Sequence, residues 1–216
     1  MKHQIKLAFY VSGRASRLVK LLQSSSIVLK DTVLVVNDNA PNKRLSQLLS
    51  AKGIIYIEFN YKDMGLQGKE RNIYISNLLL DKFRYYGVKY CFCFGRMILK
   101  GALLTKYKNR IINFHPSILP LFPGERSIDQ AMDKRVFLLG NTAQFINEGT
   151  DTGPVIMQSI LHRTRYIYYE SVLKMQLPMI EQIYKWLISK RISVIGHKVF
   201  IKSAQYGHET YYPCIE

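Results

Sequence analysis

The stretch Ile111-Ile112-Asn113-Phe114-His115-Pro116 ends an apolar run on an amide and an imidazole two residues apart. On a strand, that spacing sends Asn113 and His115 to one side and Phe114 to the other, toward a core. An amide donor beside an imidazole suits an oxygen that gains negative charge during a reaction. The imidazole can also move a proton, because its ordinary pKa lies close to working pH. Taken alone, the pattern reads more readily as structure, with Asn as a turn former and His capping a loop.

Two further stretches could join that chemistry. Asp151-Thr152-Gly153-Pro154 puts a carboxylate in a Gly-Pro turn, usually a local Asx turn. Near His115 the same carboxylate could hold one ring nitrogen or collect a proton through water. Ser12-Gly13-Arg14-Ala15-Ser16-Arg17 lies between a strand and a helix, where backbone N–H groups attract anions and two arginines add charge. It is not a G-x-G-x-x-G dinucleotide loop, because the second glycine is absent, and Ser16 could equally be an ordinary N-cap.

These residues need elements to carry them. Ile5 to Val11, Thr32 to Val36, Ile54 to Phe59, Tyr90 to Phe94 and Arg110 to Phe114 read as short buried strands. Between them, Ser16 to Gln23, Lys43 to Lys52 and Lys69 to Tyr86 have helical spacing, with Gly53 and Gly87 as stops, and a short helix falls near Leu103. Alternation over about 115 residues predicts βαβ units, a mostly parallel sheet flanked by helices and an α/β fold. Ligands bind beyond the carboxyl ends of such strands, which groups Gly13, Gly95 and Asn113 to His115 at one crevice. Further on, Gly140 to Asn147 and Pro154 to Leu161 read as strands joined through Glu148 to Gly153. Tyr169 to Lys190 reads as one long helix interrupted or kinked at Pro178. Ile192 to Ile201 reads as a hairpin turning at Gly196-His197. The expected organisation is a catalytic domain over residues 1–191 and an appended tail over 192–216.

The composition sets limits. The chain has 216 residues, 48% of them hydrophobic, enough for a substantial core, and no apolar run reaches membrane-spanning length. The start, MKHQIKLAFYVSGRAS, lacks the longer apolar segment and cleavage site of a secretory signal. Cys91, Cys93 and Cys214 are expected as free thiols in a reducing cytoplasm, and no C-x-x-C or histidine cluster suggests a metal. A net charge of +16 points to an anionic partner or to a solvated lysine-rich surface. Without a nucleic-acid-binding motif, a phosphorylated small molecule fits the charge better than nucleic acid does. No membrane partner is expected, and a homodimer is left open.

In combination the motifs are specific. N-x-H-P-S-x-L-P, the P-G that follows, and D-x-G-P about 35 residues on closely resemble the 10-formyltetrahydrofolate-dependent formyltransferases. The resemblance runs from about Lys6 to Arg191 and implies a Rossmann-like formyltransferase fold. By it, a primary amine attacks the formyl carbon of N10-formyltetrahydrofolate and forms a tetrahedral oxyanion. Asn113 and protonated His115 would stabilise that oxygen, and Asp151 would orient His115 and assist proton transfer. Arg96, Met97, Ile98 and Leu99, with Asn147, Glu148, Gly149 and Thr150, would bind the folate. No metal is implied.

The departures from that family fall on the acceptor side. Gly13-Arg14-Ala15-Ser16-Arg17 stands where glycinamide ribonucleotide formyltransferases typically have G-N-G-S-N. Gln176-Leu177 replaces a Glu-His pair, and Gln144 replaces the histidine before the strand's aromatic Phe145. An amine on a phosphorylated carrier, namely a nucleotide-linked amino sugar for surface polysaccharide or O-antigen synthesis, fits these changes. Ser12, Gly13, Arg14, Ser16, Arg17, Lys69 and Gln176 are its candidate binding residues. Glycinamide ribonucleotide itself is the alternative acceptor. Methionyl-tRNA formyltransferase and formyl-folate hydrolase are disfavoured by the expectation that the chain carries neither a large tRNA-binding domain nor an N-terminal regulatory one. A basic nucleic-acid-binding or assembly protein on an inactive scaffold is the non-enzyme alternative.

Overall fold

A computed structural model describes residues 5–24, 26–39, 42–164, 169–207 and 210–216. The fold is α/β and Rossmann-like, with a mostly parallel sheet flanked by helices. The chain divides into two compact units, residues 1–112 and 113–216.

The first unit is built from β1 (Leu7–Val11), α1 (Ser16–Gln23), β2 (Thr32–Asn37), α2 (Lys43–Ser50), β3 (Ile55–Glu58), α3 (Gly68–Tyr86), β4 (Tyr90–Phe94) and α4 (Ala102–Lys106). Its strands lie in the order β4-β1-β2-β3 and every pairing is parallel. All five residues of β1 are buried, as a strand covered on both faces requires, and this is why LAFYV is apolar throughout. Phe9 packs edge-on against Phe92 and tilted against Phe94, with ring centroids 5.6 and 5.7 Å apart. Burial of each such ring is worth about 1.5–3 kcal/mol. The pairs Val11 with Asn37, Val11 with Phe94 and Asn37 with Glu58 align the strands' carboxyl ends. Ser12, Asp38 and Gly95 follow directly from those ends.

The strand β5 (Ile111–His115) finishes in the second unit, which continues with α5 (Ser127–Asp133), β6 (Leu138–Phe145), β7 (Val155–His162), α6 (Tyr169–Lys174), α7 (Gln176–Ile188), β8 (Ile192–Ile195), β9 (Lys198–Ile201) and β10 (Tyr211–Tyr212). β6 and β7 are antiparallel, and β10 adds antiparallel to β7. Their register slips between Ala143 and Gln144, so that Gln144 pairs with Val155 and leaves Ile156 as the extra residue of a bulge. Ile128, Ala131, Leu139 and Val172 form a core cluster under α5 and α6.

Most expected elements are present within a residue or two. Three differ. The single helix expected over 169–190 is two, broken at Met175. Pro178 sits in the first turn of α7, where its missing N–H would have had no intrahelical partner, so it marks a start and not a kink. Helix α5 and the short strand β10 lack a strong periodic signal and were not expected. The hairpin β8–β9 turns at Gly196, whose φ is 61°, as the Gly-His pair suggests.

Candidate active site

Asn113, His115 and Asp151 all belong to the second unit, and there they meet. His115 is buried at 5% exposure, and Phe114, at 1%, faces the core as strand alternation demands. Its Nδ1 lies 3.4 Å from Asp151 Oδ2. Its Nε2 lies 2.9 Å from the Phe122 carbonyl, and a carbonyl only accepts, so Nε2 carries its hydrogen. Both ring nitrogens thus face acceptors, and the imidazolium form satisfies both.

Asp151 is held from several directions. Its backbone is left-handed at φ 53°, an unusual state for a residue with a Cβ. Oδ1 accepts from Gln144 Nε2 at 3.0 Å and from Asn113 Nδ2 at 3.4 Å. Oδ2 accepts from the Gly124 N–H at 2.7 Å, which ties the end of the proline-rich loop to the carboxylate. The turn depends on Gly153, because a Cβ there would lie 1.6 Å from the Phe145 carbonyl oxygen. Gly153 N–H in turn donates to Gln144 Oε1 at 3.1 Å.

The loop after His115 is fixed by a polar network as well as by prolines. Thr142 Oγ1 donates to the Ser117 carbonyl at 2.8 Å and accepts from Leu119 N at 2.9 Å. Gln158 Nε2 donates to the Leu119 carbonyl at 2.9 Å, and Ser117 Oγ donates to the Leu121 carbonyl at 2.6 Å. These bonds set the path that brings Phe122 O and Gly124 N to the site. Ser117 and Leu119 lie in the N-x-H-P-S-x-L-P motif, whereas Thr142 and Gln158, which hold them, carry none, so strand spacing alone does not single those two out.

The other residues expected at the site divide sharply. Glu148, Gly149 and Thr150 are exposed, and the Asn147 side chain folds their turn. It donates to Thr152 O at 3.1 Å and accepts from Gly149 N at 3.1 Å and Thr152 Oγ1 at 3.0 Å. Gln176 is placed otherwise than as an acceptor contact. It is fully buried, and its Nε2 donates to Asn141 Oδ1 at 2.8 Å and to the Phe114 carbonyl at 3.2 Å. A charged Glu there would meet two acceptors, which gives a structural reason for the neutral amide.

The first unit holds the remaining candidates. Arg14 and Ser16 are exposed, and the Arg17 guanidinium lies over the Phe94 ring, 4.4 Å from its centroid. Gly13 and Ala15 both have positive φ, at 66° and 47°, and Ala15 rather than Ser16 occupies the N-cap position of α1. Ala15 pays about 1 kcal/mol for that conformation, a cost a glycine avoids. Ser12 Oγ accepts from Arg96 N at 2.9 Å, which ties the loop after β1 to the loop after β4. Lys69 is exposed in the first turn of α3. Arg96 and Ile98 point to the surface, Ile98 with 46% exposure, whereas Leu99 is buried.

One pair there escaped the sequence reading. Tyr10 Oη donates to Asp38 Oδ2, and both residues are buried. Burial raises the Asp38 carboxyl pKa above the usual carboxylate range, against the lowering effect of its bonds to Tyr10 and Ser12 and of Arg96. Burial and then Asp38 itself raise the Tyr10 phenol well above its usual value. Asn37-Asp38-Asn39 looks like a plain turn; the polar Tyr inside an apolar strand, LAFYV, was the signal available. Gly95 follows from the same ring, since a Cβ there would come within 2.2 Å of it. Among the described residues no group of three or more His, Cys, Asp or Glu could hold a metal ion, and no helix is long and apolar enough to cross a membrane.

The α/β scaffold thus brings a buried His and an amide to one loop carboxylate. Sequence comparison places the chain more narrowly. A family model described as "Formyl transferase" matches residues 5–174, and the chain belongs to that family. It is 32% identical over 121 residues to phosphoribosylglycinamide formyltransferase of Bacillus subtilis, covering 49% of this chain and 62% of that protein. It is 31% identical over 114 residues to formyltetrahydrofolate deformylase of Escherichia coli K12, covering 52% of this chain and 38% of that protein. The matches thus span less than two thirds of either relative. Glycinamide ribonucleotide transformylase 1 from Symbiobacterium toebii has the same fold, with a TM-score of 0.76 at 24% identity over 93% of this chain and 95% of its own.

Proposed function

We propose that the protein transfers a formyl group from N10-formyltetrahydrofolate to a primary amine on a phosphorylated carrier, most specifically a nucleotide-linked amino sugar. The observation that supports formyl transfer is the Asn113–His115–Asp151 cluster, in which the Asp151 carboxylate meets both the Asn113 amide and the His115 ring. The folate supplies an activated formyl carbon. In the transfer, a bond from the amine nitrogen to that carbon forms, the carbon–N10 bond breaks, and one proton passes in net from the amine to N10. His115 Nε2–H and the Asn113 amide are donors suited to the formyl oxygen, His115 by exchanging the Phe122 carbonyl for it. Asp151 orients the ring through Nδ1 and is the chain's own acceptor for the amine proton through water. Asn113, His115 and Asp151 are the proposed catalytic residues.

For the folate we assign Arg96 to Leu99 and Asn147 to Thr150. An apolar Ile98 left 46% exposed fits the face of a flat ring. For the acceptor we assign Ser12, Gly13, Arg14, Ser16, Arg17 and Lys69, where backbone N–H groups and cations meet at a helix start. The two arginines and Ala15 in that loop favour a larger, more highly charged carrier than a phosphoribosyl group. Phosphoribosylglycinamide is the second acceptor reading, supported by the Bacillus subtilis relative.

The test is incubation with N10-formyltetrahydrofolate and a panel of amines, followed by the change in folate absorbance and by mass of the acceptor. A gain of one formyl group on a nucleotide amino sugar is expected. Formylation of phosphoribosylglycinamide with none of the amino sugars sinks the preferred acceptor, and release of formate regardless of amine identifies a hydrolase instead.

A further inference from the structure

The side chain of Gln144 does something that the proposed reaction does not itself assign. We propose that Gln144 is a positioning residue that commits one oxygen of Asp151, so that the other is presented to His115. Its kinetic consequence rests on the formyl-transfer reading; its effect on the histidine does not.

Three independent features carry this. First, the amide is used at both ends. Gly153 N–H can only donate and the Asp151 carboxylate can only accept, so Oε1 faces the former at 3.1 Å and Nε2 the latter at 3.0 Å. One side chain therefore clamps both ends of the turn 151–153. Second, the β6–β7 register slips between Ala143 and Gln144, with Ile156 of β7 as the extra residue, so Gln144 pairs with Val155, two residues after Gly153. Third, Asp151 sits at φ 53°, a conformation that needs outside support, and Gln144, 2% exposed, is a buried donor that supplies it.

The geometry also explains which oxygen does what. Oδ1 is taken by Gln144, with Asn113 at a longer 3.4 Å. Oδ2 is left to His115 and the Gly124 N–H. Without Gln144 the carboxylate is free to rotate, and Oδ2 is no longer defined. Among the described contacts of this carboxylate, His115 from β5 is the titratable one. Gln144 from β6, Asn113 from β5 and the Gly124 N–H are neutral, and Glu148 earlier in the same loop is exposed. A neutral amide keeps its hydrogen at every working pH, so the clamp holds while His115 changes charge.

The experiment compares wild type with Gln144→Leu and Gln144→Glu. Thermal melting checks folding, and folate binding, kcat and the pH profile of kcat/KM are followed. The His115 ring titration is read by NMR without any ligand, assigned with His115→Ala. Gln144→Leu is expected to lower kcat by about 10- to 100-fold through misplacement, with folate affinity changed by less than about 3-fold. Gln144→Glu keeps the size and the acceptor for Gly153 N–H. At low pH it shares one proton with Asp151 and retains activity. As pH rises and that proton leaves, two carboxylates repel and the rate falls, adding a descending limb to whatever His115 itself gives the wild-type profile. The same charge pair moves the His115 midpoint upward by about half a unit or more.

Wild-type kcat and pH profile in folded variants, or an equal loss at every pH in Gln144→Glu, overturn the proposal. Should Gln144→Leu fail to fold, Gln144→Glu decides. Should wild type transfer no formyl group to any amine, the functional reading fails, and the His115 titration alone judges Gln144: a shifted midpoint supports the role and an unshifted one overturns it.

Discussion

The cluster around His115 and the loop after β1 are both polar, yet they are held in opposite ways. Around His115 the groups are buried or half-buried, and each oxygen of Asp151 has a named partner. In the loop from Ser12 to Arg17 the charged groups project from a backbone held by a few bonds, and Arg14 reaches solvent. A reaction centre must hold donors within a fraction of an ångström, which buried hydrogen bonds do. A surface that recognises phosphate needs charge and exposed N–H groups more than rigidity. The first kind of site tolerates few substitutions. The second can change its partner while the chemistry stays.

That contrast can be broken by measurement. His115→Ala should give the largest effect, a loss of at least about 100-fold in kcat/KM with folate binding retained. Near-normal turnover would refute the assignment. Gly153→Ala comes next, because its Cβ would overlap the Phe145 carbonyl. Destabilisation of about 2–3 kcal/mol is expected, seen as a lower urea midpoint together with lost activity. An unchanged midpoint would mean that the turn is looser than the contrast supposes.

Arg14→Ala should be milder: KM for the phosphorylated amine rises about 5- to 10-fold, kcat holds, and the salt dependence of KM weakens. A fall in kcat with KM unchanged would place Arg14 with the rigid group instead. The smallest test is one of sign. The Asp38 pKa is raised in the folded state, so its ionisation opposes folding as pH rises from the unfolded carboxylate value through the folded one. Asp38→Asn keeps an acceptor for Tyr10 and removes that penalty. Its stability relative to wild type should therefore grow as pH rises above the ordinary carboxylate value of about 4; a constant difference would show that Asp38 stays ionised in both states.

How much of this was legible depends on the distance over which each feature acts. Burial and period are local, and β1, β4, α1 and α3 stand within a residue or two of where their apolar spacing puts them. The α6–α7 break was half legible: Pro178 announced an interruption, but only backbone geometry showed a fresh start at Gln176. Asn113 and His115 share a side because strand alternation is local too. Asp151 is another matter, since no periodicity brings residue 151 to residue 115. Motif resemblance suggested the contact, and the turn at Gly153 makes it.

Gln144 and Gln176 show the limit most sharply. In the sequence both are amides at positions where the family that the motifs resemble typically has another polar residue. In the structure one clamps the Asp151 carboxylate and the other is sealed between Phe114 and Asn141. The residue type states what a side chain can donate or accept. Which partner it meets depends on a register slip in β6–β7 and on a helix that begins two residues before Pro178. The sequence by itself determined the order of elements, the apolar core and the side of β5 on which Asn113 and His115 lie, because those follow from spacing along the chain. Only the tertiary structure decided which carboxylate oxygen faces His115 and which polar side chains serve the fold alone, because those depend on contacts between residues far apart in the chain.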